Sequence, residues 1–165
     1  MKRASIVVLA FVAAISILGC RSTNAVEYPV ILTVTPPSAG HNSYYIRIDE
    51  DGYIRSYKGL AAGAGEDSTG AVLPPDRFFD SVEGSEESEL DTATFDSLQR
   101  ELSKLLPPSR KQNDIGMTDA WELKLYINGN TLFEYSWSQE GSDIYRVMEK
   151  IMSLSPIPVD MDGFA

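Results

Sequence analysis

Two segments of the chain alternate apolar and polar residues with the period of a β-strand, and each contains a turn signal near its centre. The first segment extends from Tyr44 to Tyr57 and the second from Trp121 to Trp137. A period of two places successive side chains on opposite faces of a strand. Each segment is therefore predicted to form a β-hairpin with one apolar face.

The register of the first hairpin depends on the length of its loop. A three-residue loop, Glu50-Asp51-Gly52, with Gly52 in the left-handed conformation, pairs Ile48 with Ile54 and keeps the apolar side chains on one face. A two-residue loop would pair Ile48 with Arg55 and mix the faces. We therefore expect the longer loop, which collects six polar and aromatic residues on the opposite face: Tyr45, Arg47, Asp49, Tyr53, Arg55 and Tyr57.

The second hairpin poses the same question around Asn128-Gly129-Asn130. A three-residue loop pairs Trp121 with Trp137 and collects the bulky apolar residues on one face. A two-residue Asn-Gly loop would place Lys124 opposite Phe133. The apolar pattern therefore favours the three-residue loop.

Apolar residues recur at helical spacing in two further segments, Phe95–Leu106 and Ile144–Leu154, and each follows one hairpin along the chain. The predicted fold class is α+β: an antiparallel sheet built from two β-hairpins, with two helices on one face, in the order ββα-ββα. Extra flanking strands are expected at Val30–Thr35 and Ile157–Met161.

Residues 59–91 have the least regular pattern. The segment from Leu60 to Gly70 is rich in glycine, and the segment from Val82 to Asp91 is acidic. A long irregular stretch within a domain is typical of a functional or a solvated loop. We interpret this one as a solvated, irregular Gly-rich and acidic loop.

The N-terminus has a different pattern. Its first 19 residues contain Lys2 and Arg3, no acidic residue, and an apolar run from Ile6 to Leu18. A basic start followed by a short apolar segment is typical of a secretory signal peptide. The run is also shorter than the about 20 residues that span a bilayer.

Cys20, the only cysteine of the chain, directly follows this run, and Ile17, Gly19 and Cys20 match the lipobox. The N-terminus therefore resembles the bacterial lipoprotein signal. The resemblance implies cleavage before Cys20, its modification by acyl chains such as palmitate, and a lipid-anchored location in the cell envelope. Because Arg21, not aspartate, follows the cysteine, it also implies the outer membrane if the host has two membranes. The expected organisation is a signal peptide at residues 1–19, a lipidated cysteine and short tether at 20–27, and one α+β domain at 28–165.

The charge of the chain restricts its partners. The net charge is −10, and removal of the signal peptide with its two basic residues leaves −12 on 146 residues. Such a surface repels nucleic acid and anionic lipid headgroups, so we expect no nucleic-acid partner. Membrane attachment must then come from the lipid on Cys20. The mature chain has no second cysteine for a disulfide, so the domain must fold on its core alone.

The chemistry that the residues offer is limited. His41 is the only histidine and lies in a predicted loop, and no cysteine follows Cys20. These counts argue against a transition-metal site and a Cys-His nucleophile. No serine has the glycine-flanked setting of a hydrolase elbow, and no glycine-rich loop with a lysine could hold phosphate. We therefore predict no catalytic residue, cofactor or metal, although pairs of carboxylates remain open.

The face of the first hairpin formed by Tyr45, Arg47, Tyr53, Arg55 and Tyr57 is the best candidate for a binding surface. The register places Arg47 opposite Arg55, and such like charges are unfavourable unless another group lies between or upon them. Stacked tyrosines or a nearby acid such as Asp49 could do this within the protein, and a carboxylate of a ligand or partner could do it instead. The alternative is a solvated sheet face with a local Arg-Tyr ladder. If a helix covered this face instead, the exposed side would be that of Tyr44, Ile46 and Ile48.

The leading hypothesis is a lipid-anchored, noncatalytic envelope protein that binds another envelope protein or an extracellular ligand. Tyrosine and arginine are enriched where proteins bind one another. Two alternatives stay open: an envelope hydrolase that uses carboxylates, and an inhibitor or immunity-type lipoprotein. A deep pocket with convergent acids would favour the hydrolase, whereas an open Tyr/Arg surface would favour the binding protein.

Overall fold

The computed structural model describes residues 25–38, 40–63, 65–106, 120–135 and 142–161. Within these residues, an antiparallel sheet of six strands and three helices form a mixed α+β fold, as the fold class predicts. The strands are β1 (Val30–Thr35), β2 (Ser43–Ile48), β3 (Tyr53–Ala61), β4 (Phe79–Glu89), β5 (Glu122–Ile127) and β6 (Asn130–Tyr135). The helices are α1 (Pro75–Phe78), α2 (Thr92–Lys104) and α3 (Asp143–Leu154). The strand order across the sheet is β4-β3-β2-β1-β5-β6.

Strand β1 occupies the interior of the sheet and joins the two hairpins, pairing with β2 on one side and β5 on the other. Its sequence is apolar or β-branched throughout, without alternation, because both of its faces are covered. Leu32 is buried on one face, and Ile31 and Thr33 are buried on the other. The predicted strand at these residues is therefore confirmed, at the centre of the sheet.

The predicted ββα-ββα order is wrong. Strand β4 and the single-turn helix α1 lie between the first hairpin and α2, within the predicted irregular loop at 59–91. The predicted placement of two helices on one face also needs correction, because a third helix, α1, contributes Phe78 to an apolar cluster on the opposite face. Residues Ile157–Met161 do not form the expected strand. The side chain of Ile157 is instead buried in the core.

The main core lies between one face of the sheet and the helices α2 and α3. Leu98 and Leu102 from α2, and Met148 and Ile151 from α3, are fully buried in it. Each helix has a side-chain cap at its N-terminus: Asp91 accepts a hydrogen bond from the amide of Thr94, and Ser142 accepts one from the amide of Tyr145. The periodic apolar stripes predicted from the sequence are therefore the core-facing sides of these helices.

The predicted register of the first hairpin is confirmed. Ile48 pairs with Ile54 and Arg47 pairs with Arg55. Gly52 has a φ of 85°, and its amide donates to the carbonyl of Asp49 over 3.1 Å. The three-residue loop thus places Tyr44, Ile46 and Ile48 in the main core, so the alternative in which they are exposed does not hold.

The predicted register of the second hairpin is wrong by one residue. Ile127 pairs with Asn130 across a two-residue Asn128-Gly129 turn whose φ angles are both positive, 50° and 69°. A two-residue turn with two positive φ angles matches the right-handed twist of the flanking strands, and this match favours the shorter turn. Phe133 consequently lies opposite Lys124, and the Nζ of Lys124 is 5.6 Å from the centre of the Phe133 ring. Trp137, the predicted partner of Trp121, lies outside the described residues.

Gly59 allows β3 and β4 to approach each other closely at a β-bulge. The register between these strands shifts after Lys58, and a Cβ atom built on Gly59 would lie 2.0 Å from the carbonyl oxygen of Ser81. Only glycine fits at this position without a shift of the backbone.

We expect Gly59→Ala to destabilise the protein by about 1–3 kcal/mol, as measured by chemical denaturation, because the added methyl group must displace main-chain atoms. Gly84→Ala is the matched control on the neighbouring strand, where the new Cβ would lie 3.8 Å from Ile157 in ordinary contact. Equal stability of the two variants would contradict the close approach.

Candidate functional site

The predicted Tyr/Arg face is divided into a buried half and a partly exposed half. Tyr45 is only 2 % exposed and packs against Phe78 and Tyr57, with ring centres 5.5 and 6.0 Å apart. Burial raises the pKa of the Tyr45 hydroxyl to about 12. Tyr45 therefore supports the surface from beneath and does not itself face a partner.

The other half is partly exposed and consists of Tyr53, Arg47 and Arg55, at the end of the sheet that holds the Asp49–Gly52 turn. The side chains of Arg47 and Arg55 are 40 % and 36 % exposed. The guanidinium of Arg55 lies 6.0 Å from the centre of the Tyr53 ring, within the range of a cation–π contact. These three residues form a surface that a partner can reach.

Asp49 bridges the two opposed arginines. Arg47 donates from Nε to one carboxylate oxygen over 2.7 Å, and Arg55 donates from a terminal nitrogen to the other oxygen. The side chain of Asp49 is 14 % exposed, so the bridge is largely shielded from water. The protein thus supplies the acid between the arginines.

Glu87 of β4 makes a second ion pair with Arg55. The Nε of Arg55 donates to the Glu87 carboxylate, and this hydrogen bond raises the pKa of the guanidinium above its ordinary value. Sequence analysis missed Glu87 because it lies in the segment read as a loop. The two arginines are therefore part of a neutralised network and are not free positive charges.

An open depression of about 330 Å³ adjoins this network. The loop residues Glu50 and Asp51 line it together with both arginines, Asp49 and the preceding segment Tyr28-Pro29. Both carboxylate oxygens of Asp49 accept hydrogen bonds from guanidinium groups. Asp49 is therefore poorly placed to transfer a proton in catalysis. The arrangement fits recognition of a polar group better than acid–base chemistry.

A second polar cluster lies on the same face of the sheet, around Glu66. The Tyr126 hydroxyl donates to Glu66 over 2.7 Å, and Lys124 lies 3.5 Å from the same carboxylate oxygen and 2.9 Å from Glu122. Burial, and then the hydrogen bond to Glu66, raise the pKa of Tyr126. This cluster fastens the segment that contains Glu66 to the sheet, so its role is structural.

The remaining candidates contribute no further chemistry to this surface. His41 is exposed in the loop before β2, and Cys20 lies outside the described residues. Among the residues that the structure describes, no group of three or more His, Cys, Asp or Glu side chains is placed to hold a metal ion. No helix in that part of the chain is long and apolar enough to cross a membrane.

The fold and this surface define a class of protein: a small α+β domain with a six-stranded antiparallel sheet, two helices over its main core, and a partly exposed Tyr/Arg network at one end. Comparisons with protein-family models, with curated proteins and with solved structures find no match to the chain.

Proposed function

We propose that this protein is a lipid-anchored, noncatalytic component of the cell envelope that binds another protein or an extracellular ligand. The observation that carries the proposal is the position of Cys20, directly after the apolar run of the signal and five positions before Ala25, the first residue that the structure describes. The experiment that tests the anchor is replacement of Cys20 by alanine, followed by separation of the membrane pellet from the soluble fraction.

The first described residues already belong to the folded domain. The side-chain amide of Asn128 donates to the carbonyl of Ala25 over 2.6 Å, and its oxygen accepts from the amide of Glu27 over 2.7 Å. Four residues then separate Cys20 from Ala25. The five Cα–Cα steps between them give a maximal reach of about 18 Å. The lipid therefore holds the domain close to the membrane.

In this proposal, the end of the sheet that lies near Ala25 faces the membrane. Ala25 lies at the Asn128-Gly129 turn, and the register of the strands places the Asp49–Gly52 turn at the same end. This end also contains Glu50 and Asp51, which are repelled by anionic headgroups. The short tether thus holds the Tyr/Arg network near the membrane surface but outside the lipid. At this position the network can contact a membrane-bound partner.

The contact surface in this proposal is formed by Arg47, Tyr53 and Arg55. Exposed tyrosine and arginine side chains provide large contact areas with directional hydrogen bonds, and they contribute much of the binding energy at protein interfaces. Asp49 and Glu87 hold Arg55 in place, so little conformational freedom is lost when a partner binds. This preorganisation is what supports a binding role for the network.

We expect Arg55→Ala to lower the thermal unfolding midpoint and to weaken capture of the envelope partner. Stability falls because Asp49, which is largely shielded from water, is left with a single guanidinium. Arg47→Ala should cost less stability, since among the described residues Arg47 pairs with Asp49 alone whereas Arg55 also pairs with Glu87, but it should also weaken capture. Each variant is used to recover envelope protein from a detergent extract of host membranes. Capture is the amount recovered, divided by the amount of folded variant.

Lys58→Ala is the matched control, because Lys58 is a cation on the opposite face of the same strand as Arg55, 5.9 Å from the ring of Tyr44. Its capture should equal that of the wild type. Full capture by folded Arg47→Ala and Arg55→Ala would exclude the Tyr/Arg network as the contact surface while leaving the lipid anchor untouched.

A further inference from the structure

The outer strand β4 presents an unpaired backbone edge. Within the described residues, β4 pairs with β3 on one side, and no strand pairs with its other side. At 11 residues, it is the longest strand of the sheet in that part of the chain. A long unpaired edge is a template for the addition of another extended chain.

The direction of the backbone groups along β4 follows from one hydrogen bond. The amide of Leu90 donates to the carbonyl of Gly52 over 3.0 Å, so the backbone groups of Leu90 point towards the β3 side. Backbone groups alternate in direction along an antiparallel strand, which directs the amides and carbonyls of Glu89, Glu87 and Ser85 away from β3. The ladder has no register shift between Ser85 and Glu89, so this alternation holds throughout.

The side chains of the strand determine what kind of chain this edge accepts. Five acidic residues of β4 are exposed: Asp80, Glu83, Glu86, Glu87 and Glu89. Glu87 is paired with Arg55 and Glu83 accepts a hydrogen bond from Asn42, whereas Glu86 and Glu89 have no ion pair with any described residue. Glu89 pairs with Tyr53 on one face of the sheet and Glu86 pairs with Ser56 on the other, so negative charge flanks the edge on both faces.

A second copy of the chain does not suit this edge. Pairing β4 with β4 would oppose two rows of acidic side chains, and like charges opposed across a ladder are destabilising. An extended segment rich in lysine or arginine satisfies the outward backbone groups and the acids together. We propose that β4 binds an extended basic segment of a partner protein by strand addition. This inference rests on the binding role proposed above and names the chemistry of the partner.

The test uses the lipidated protein in nonionic detergent micelles and a short synthetic peptide that alternates lysine with valine and threonine. We expect the peptide to slow hydrogen exchange at the amides of Ser85, Glu87 and Glu89. A peptide with glutamate in place of lysine should give no protection, and neither should a lysine peptide N-methylated on its alternate amides, because methylation blocks the ladder without changing the charge. Protection by the N-methylated peptide would overturn strand addition.

Two variants test the protein side of the contact. Ser85→Pro removes one outward amide without breaking a hydrogen bond to β3, and proline is tolerated on an edge strand. Its peptide binding should be lost, whereas Ser85→Ala should bind as the wild type does. The double variant Glu86→Gln/Glu89→Gln should raise the Kd for the peptide about tenfold.

Absence of protection in the wild type would overturn the inference, and so would protection of these amides before peptide is added, because another part of the chain would then occupy the edge. If Ser85→Pro fails to fold, the N-methylated peptide still decides the question. Each of these outcomes leaves the anchor at Cys20 and the Tyr/Arg network to their own tests, so failure here is distinguishable from failure of the proposed function.

Discussion

The Cys20→Ala variant is expected to move from the membrane pellet to the soluble fraction, with its fold unchanged. The mature domain has a charge of −12 and no attraction to anionic headgroups, so the lipid is its means of attachment in this proposal. No helix in the described residues could replace the lipid by spanning the bilayer. The strands and the core that the structure describes are formed by residues 26–161, so the circular dichroism spectrum and the melting temperature should equal those of the wild type.

Ser22→Ala is the matched control, because it changes a neighbouring residue and leaves Ile17, Gly19 and Cys20 intact. This variant and the wild type should incorporate labelled palmitate and remain in the pellet after a high-salt wash, and Cys20→Ala should do neither. Recovery of the Cys20→Ala protein in the washed pellet would contradict the proposed lipid anchor. In a host with two membranes, wild-type protein found only in the inner membrane would contradict the sorting inferred from Arg21.

The Trp121→Ala variant is expected to be largely unfolded at physiological temperature. Trp121 is 3 % exposed and packs in the main core next to β5. Truncation of a buried tryptophan to alanine costs about 3–5 kcal/mol, which is a large part of the about 5–15 kcal/mol that stabilises a typical domain. Cys20 is the only cysteine of the chain, so no disulfide within the chain offsets this loss. Urea denaturation followed by circular dichroism measures the change.

Val82→Ala is the matched control for Trp121→Ala, because Val82 is an apolar residue that is 48 % exposed. Its unfolding midpoint should differ little from that of the wild type. The same unfolding expectation for Trp137→Ala stays a prediction, since Trp137 lies outside the described residues. A Trp121→Ala protein as stable as Val82→Ala would show that the core does not depend on this side chain.

The two hairpins show how far a periodic pattern can be trusted. In the first, apolar residues and arginines alternate strictly, so only one register keeps Ile48 and Ile54 on the buried face, and the prediction was correct. In the second, both registers bury an apolar residue of β6, because Leu132 and Phe133 are adjacent. The pattern was then ambiguous, and the twist preference of the Asn-Gly turn decided the register.

Strand β4 was not predicted from the sequence, for a different physical reason. Residues 80–89 hold one apolar residue, Val82, and most of them are exposed, so the strand has no apolar period to detect. Its stability comes from the ladder that it forms with β3, a partner that is defined only once the first hairpin has folded. Glu87 was missed with it, although Asp49, which lies within the predicted hairpin, was recognised as a bridging acid.

The predicted features that the structure confirms depend on near neighbours: the first hairpin, and the helices α2 and α3 with their apolar stripes. The signal with Cys20 is also a local pattern, and it stays a prediction. Each of these is encoded by spacing within about 15 residues, so no distant partner is needed to recognise it. Contacts between distant parts of the chain became visible only in the folded structure. Tyr45 is covered by Phe78, Arg55 is held by Glu87, and Ala25 is held by Asn128, because contacts across the sheet join residues that no local pattern connects.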